Sequence, residues 1–260
     1  MPVNLKDRLE EIYLKYNKRE LVDPDPLVFL YNYKKTADKE LVGLIASSLA
    51  YGRVAQILKS VKTVLDIMGK EPSKYISSND KDTFLKTFKN FKHRFTDGRE
   101  MAMFLWGIKN IIKEYDSIEN CFKTGHNNKN QNILPALKFF SNEIRKYIGD
   151  KKNSLLPDAN KNSACKRINL YLKWMIRKDD VDPGCWSNLD PSLLIIPLDT
   201  HMYRFGTCAG WTKRKNADMQ TAIEITNGFK KISPQDPAKY DFAITRFGIR
   251  SDMYWKDLGF

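Results

Sequence analysis

Apolar side chains recur every three to four positions from Leu5 to Tyr16, with Lys, Asp and Glu between them, and this period predicts an amphipathic helix over residues 5–16. The same spacing predicts helices over 37–50, 53–68, 81–88, 99–115 and 133–148. Between the first two, Asp23-Pro24-Asp25-Pro26 reads as a rigid turn with Pro26 in the first turn of the next helix. The stretch 123–131 is polar throughout and reads as an exposed loop. In the second half, helices are expected over 163–177, with Ser163 as N-cap, from Asp199 to about Cys208, and over 217–231 and 237–247. The connection 178–197 carries Pro183, Gly184 and Pro191, and only Leu193 to Leu198 offers an extended run. No internal repeat is visible. The pattern predicts an all-α fold: one helical domain over 1–260, built as two intimately packed lobes.

Composition supports a packed core. The 260 residues are 42% hydrophobic and 12% aromatic, which excludes a disordered chain. No apolar run approaches the roughly 20 residues that span a bilayer. Residues 1–9 are polar and lack the apolar stretch of a signal peptide, so a cytoplasmic protein without membrane contact is expected. Cys121, Cys165, Cys185 and Cys208 lie too far apart for zinc pairs or the tightly spaced four-cysteine iron–sulfur cluster, and free thiols are expected. The formal net charge of +13, from 44 Lys and Arg against 31 Asp and Glu, points to a polyanionic partner, with nucleic acid foremost.

Two helix starts carry the candidate chemistry. Ile195-Ile196-Pro197-Leu198 ends in Asp199, a residue suited to cap the following helix and to be held as an anion by its dipole. A cap with no other role fits the same position. Upstream, Lys166 falls in the first turn of a helix beside Arg167. A cation is disfavoured there, which biases the side chain toward the neutral amine that nucleophilic chemistry requires. A solvated or DNA-facing lysine fits equally. Asp179, Asp180 and Asp182 read as solvated loop carboxylates, and no metal or cofactor is expected.

Pro197-Leu198-Asp199-Thr200-His201, followed by a hydrophobic helix bearing Arg204, resembles the signature of helix-hairpin-helix DNA glycosylases, the endonuclease III and 8-oxoguanine glycosylase superfamily. The resemblance implies that Asp199 assists base excision and that Lys166 is the nucleophile. Leu155-Leu156-Pro157 resembles the end of the hairpin's first helix, within a segment of about 150–210. The usual Gly-rich hairpin is replaced by Asp158-Ala159-Asn160-Lys161-Asn162, and the 33 residues from Lys166 to Asp199 are similar to the archaeal 8-oxoguanine glycosylase branch. A family of uncharacterised bacterial proteins carries similar Ser-Ala-Cys-Lys-Arg and Pro-Leu-Asp-Thr-His elements. Residues 41–56 resemble the family's early helix that ends in a residue inserted into DNA. Tyr51 would stack in the gap left by a flipped base, and Arg53 would hold a phosphate or the orphaned base, with Gln56 beside them. A core Tyr51 with a surface Arg53 fits equally. Trp174 is assigned to the core and Trp186 to a pocket wall, stacking on an extruded base. Arg167, His201 and Arg204 complete the expected DNA contacts. The implied activity is removal of an oxidised purine such as 8-oxoguanine from double-stranded DNA by a monomer, with strand cleavage through a lysine Schiff base. The alternatives are a monofunctional glycosylase and a non-catalytic DNA-binding protein.

Overall fold

The structure, a computed structural model, describes residues 4–149 and 152–249, Ile249 by its backbone alone. Residues 1–3, the first two positions of the 150–210 segment and residues 250–260 lie outside the described residues. Among the described residues the fold is all-α apart from one short antiparallel hairpin. The chain divides into two compact units: a terminal unit of residues 1–23 and 161–260, and a central unit of 24–160.

Helix α1 (Leu5–Tyr16) opens the terminal unit with the predicted bounds, capped where the Asn4 side chain accepts the Lys6 amide at 3.2 Å. Its buried stripe is Leu9 and Ile12.

The central unit begins with a 3-10 turn at Pro26–Asn32, where Asp25 accepts the Leu27 amide and Pro26 takes the first position, as its fixed φ favours. Helices α2 (Thr36–Ser48), α3 (Val54–Met68), α4 (Pro72–Ser78) and α5 (Lys81–Thr87) follow. Strands β1 (Lys92–His93) and β2 (Thr96–Asp97) then pair with Lys92 opposite Asp97 and His93 opposite Thr96. Helix α6 (Gly98–Tyr115) is capped by Asp97, whose carboxylate accepts the Glu100 amide at 2.9 Å. Helices α7 (Ile118–Thr124) and α8 (Leu134–Ile148) complete the unit, and α5, α7 and α8 all pack on α6. The rings of Phe122 and Phe140 stack 4.5 Å apart where α7 meets α8. The polar stretch after α7 is an exposed loop, as its composition predicts.

The terminal unit resumes with α9 (Lys166–Ile176), α10 (Thr200–Cys208), α11 (Met219–Lys230) and α12 (Asp241–Ile249). Ile12 of α1 packs with Ala243 and Phe247 of α12, and Tyr16 sets its edge on Phe247 at 4.9 Å. Phe205 of α10 stacks on Phe229 of α11 at 5.6 Å, with Trp211 edge-on to both.

Three local expectations are corrected. Ser163 does not cap α9: it bridges to Asp218, and the residue before the helix is Cys165 at φ +50. Leu155-Leu156-Pro157 does not end a helix, since α8 stops at Ile148 and these residues form a turn with both leucines buried. Residues 193–198 form no strand; Leu194 to Leu198 run as a buried irregular segment, and the Ile196 amide donates to the Thr226 hydroxyl at 3.0 Å. Among the described residues no helix is long and apolar enough to cross a membrane.

Candidate active site

Lys166 and Asp199 both belong to the terminal unit, each at the start of its own helix. Lys166 is the first residue of α9 and is half-buried. Asp199 is the N-cap of α10, with extended backbone, and its carboxylate accepts the Met202 amide at 2.8 Å. One carboxylate oxygen is therefore committed to the cap. The residue is half-buried, within reach of a partner.

Both residues bear on a third group, Asp241, at the first position of α12. Burial pushes the Asp241 carboxyl up to about 6; Lys173 pulls against that rise, Asp199 and Asp182 add to it, and Lys166 opposes it. The candidate nucleophile and the candidate carboxylate thus lie within electrostatic range of the same buried acid. Asp241 is 4% exposed, and its Oδ1 has no hydrogen-bond partner among the described residues. A desolvated carboxylate with one oxygen unpartnered is costly, and such groups concentrate where chemistry is done.

Asp241 belongs to a buried ion network. The Lys173 ammonium sits 3.0 Å from Asp182 and 3.4 Å from Asp241. Burial opposes its charge, yet the two carboxylates hold it above its ordinary value. One turn later, the Arg177 guanidinium meets Asp182, Asp179 at 2.8 Å and Asp236 at 2.9 Å. Burial works against the anionic form of Asp179 too, but Arg177 and the amides of Asp182 and Val181 outweigh it. The Tyr13 hydroxyl of α1 donates to Asp179 at 3.0 Å, and burial together with that anion pushes the phenol up to about 12. The expected solvated acidic run is corrected: Asp179 and Asp182 are taken up by Arg177 and Lys173, because the bridge between Lys178 and Pro183 folds the loop back over α9.

His201 packs its ring against α12. A Cβ on Gly248 would fall 2.0 Å from His201 Nδ1, so the close approach requires glycine there. His201 therefore braces the start of α10 against the helix that carries Asp241. Arg204 is exposed and Arg167 half-buried. Trp174 is in the core at 1% exposure, as expected. Trp186 is corrected: it is buried at 5%, edge-on to Tyr171 at 5.4 Å, with its amide bonded to the Met175 carbonyl. The irregular loop presses it onto α9 and leaves it no open face for a base. All four cysteines are free thiols, with Cys121 and Cys165 buried.

Tyr51, Arg53 and Gln56 belong to the central unit. Arg53 precedes α3 and is exposed, as is Gln56. Of the two readings left open for Tyr51, its contacts favour the anchored one. Its hydroxyl bonds the His93 carbonyl at 3.0 Å and the Thr96 hydroxyl at 2.6 Å, and its ring meets the His93 ring edge-on at 4.7 Å. Tyr51 is thus tied down across the base of the β1–β2 hairpin.

The residue that sequence reasoning missed is Asp241. The period places it inside a helix expected over 237–247, whereas the helix begins at Asp241 itself. No curated protein and no solved structure matches the chain. Residues 25–250 match the family model described as "Protein of unknown function (DUF2400)", and the chain belongs to that family.

Proposed function

We propose that this protein is a DNA base-excision glycosylase, with Lys166 as amine nucleophile and Asp199 as the supporting carboxylate. The observation that carries the reading is the pairing at two helix starts in one unit. A first-turn lysine on α9 and an N-capping aspartate on α10 both act on one buried acid, Asp241. The +13 charge supplies the attraction to duplex DNA, the proposed partner. The damaged nucleotide is extruded from the stack before reaction. Neutral Lys166 bonds to C1′ of the deoxyribose as the N-glycosidic bond breaks; the base leaves with the bonding electron pair and takes up a proton. Asp199 offsets positive charge developing at the sugar. Opening of the sugar ring yields a Schiff base at Lys166. Loss of a C2′ proton then expels the 3′ phosphate and nicks the strand. An oxidised purine such as 8-oxoguanine is the proposed base, and the protein acts as a cytoplasmic, nucleoid-associated monomer without cofactor.

The test is incubation with a panel of single-lesion duplexes, with and without borohydride. The expected result is base release and a trapped covalent adduct on one lesion class, both lost in Lys166→Gln while lesion binding persists. A panel with no base release ends the proposal. One observation favours a second reading. Asp199 already makes a full cap bond to Met202, so a binding protein of the same fold would keep it for stability alone. Tight lesion binding without base release would establish that reading.

A further inference from the structure

The tip of the β1–β2 hairpin of the central unit is formed by Arg94 and Phe95. Phe95 is 76% exposed, the most exposed large apolar side chain among the described residues. Arg94 adopts φ +50 and sets its guanidinium 5.4 Å from the centre of the Phe95 ring. An exposed phenylalanine forgoes the stabilisation its burial would bring. Here it is also mounted rigidly. The His93 ring is fully buried and bonds Ser60 Oγ at 2.9 Å and the Tyr51 carbonyl at 3.1 Å. On the opposite strand, Thr96 Oγ1 meets Tyr51 at 2.6 Å and Ser154 at 2.6 Å, and Ser154 is bonded in turn to Glu100. Gly52, at φ +100, lets the Arg94 side chain lie across the loop between α2 and α3; a Cβ there would sit 2.6 Å from Arg94 Cδ.

The surroundings are basic. Arg53, before α3, and Lys92, on β1, are exposed, and the exposed Asp97 opposite Lys92 is engaged as the cap of α6. Between α3 and β1 lies a recess of about 510 Å³, lined by Gln56, Lys59 and Lys92 among others. A rigid exposed aromatic ring, a guanidinium at its side and flanking cations match a nucleic acid. The ring suits the face of a base and the cations suit phosphates.

We propose that the Arg94–Phe95 tip is a base-stacking wedge. Phe95 enters a duplex between adjacent bases, Lys59, Lys92 and Arg53 meet the backbone, and Tyr51 is the mount that holds the hairpin. The proposal rests on the duplex-DNA reading given above and moves the inserting role from Tyr51 to a residue forty-four positions later.

The experiment uses the full chain and two duplexes containing one abasic site. One carries 2-aminopurine beside that site, and its fluorescence rises when the base is unstacked. The other carries a terminal dye for anisotropy. The expected result is a several-fold fluorescence rise with the unaltered protein at saturation. Phe95→Ala should bind the dye-labelled duplex within about tenfold of the unaltered protein, yet give no rise at saturation. Phe95→Trp should restore it. An equal rise with Phe95→Ala overturns the wedge while leaving DNA binding intact. Binding by the unaltered protein without any rise overturns it as well. No binding by any form at low salt overturns the wedge together with the DNA reading. A thermal melt of Phe95→Ala matching the unaltered protein confirms that the fold is the same in each arm.

Discussion

The two units bury charge for different ends. In the central unit, the buried acids of α2 serve helix starts: Asp38 accepts the Ser73 amide at 2.8 Å, and Glu40 accepts the amides of Glu119 at 2.9 Å and Ile118 at 3.4 Å. Each such bond satisfies an orphan donor that the fold would otherwise leave bare. Glu143 is similarly occupied, by the Tyr115 hydroxyl and the Lys146 ammonium. In the terminal unit the buried charges Lys173, Arg177, Asp182 and Asp241 cluster, while Arg246 is buried over the Phe242 ring. Cations and carboxylates there are satisfied largely by each other, and Asp241 keeps an unpartnered oxygen. Replacing buried ion pairs by apolar groups is often neutral or stabilising, so stability alone is a poor reason for such a cluster. Asp241, the member that feels the charges of both Lys166 and Asp199, gives it a better one: the cluster ties α9 to the start of α12.

The largest effect is expected where the contrast is sharpest. Arg177→Ala leaves Asp182 and Asp179 buried with less compensation, and it should destabilise the protein by about 3–5 kcal/mol. Urea unfolding followed by circular dichroism would measure it. A loss below about 1 kcal/mol would show that water reaches the network and that the two units are less different than their contacts indicate.

Asp241 sharpens the comparison further, because its sign differs. Its folded-state carboxyl titrates near 6, above its ordinary value of 3.8. The folded protein therefore holds this proton more tightly than the unfolded chain. The group favours folding below about pH 4, and that contribution is lost as pH rises from about 4 to 6. Asp241→Asn cannot ionise and should escape the loss. The variant should gain up to about 2–3 kcal/mol over the unaltered protein at pH 8, with the gain shrinking toward pH 4, as thermal melts across that range would report. Asp38→Ala in the central unit should instead cost about 1–2 kcal/mol, because the Ser73 amide loses its acceptor. If both substitutions destabilise alike at pH 8, Asp241 is an ordinary buried ion-pair partner.

What the sequence disclosed divides along a physical line. Elements set by local period were legible: α1 appears with its predicted bounds, and α3, α6 and α8 within a residue or so. So was the Asp199 cap, since its acceptor and donor lie three residues apart. Some short elements escaped. Helices α4 and α7, seven residues each, went unread, although α5 of the same length was legible with its Asp80 cap, and the hairpin strands have two residues each, too few to alternate. Features assembled across the chain also escaped. Lys173 meets Asp241 across sixty-eight positions, and Tyr51 meets Thr96 across forty-five. Trp186 misled for the same reason: a loop rich in Pro and Gly reads as open, but Met175 and Tyr171 close over it.

The smallest stability effect is expected at Asp199, and that makes it the most discriminating position. Asp199→Asn keeps a side-chain oxygen able to accept the Met202 amide, and Asn caps helices nearly as well as Asp. Stability should change by no more than about 0.5 kcal/mol. The charge, however, is gone. If the anion stabilises a cationic sugar in the transition state, base release should fall by roughly 10²- to 10³-fold with the fold intact. Asp199→Ala would blur the comparison, because losing the cap costs about 1 kcal/mol in addition. The pair of measurements therefore separates two roles that share one carboxylate. A stable Asp199→Asn variant with full activity would assign Asp199 to the same service as Asp38 in the central unit, a helix start satisfied and nothing more. A stable variant that binds lesion duplex but releases no base would place the terminal unit's charges in the chemistry.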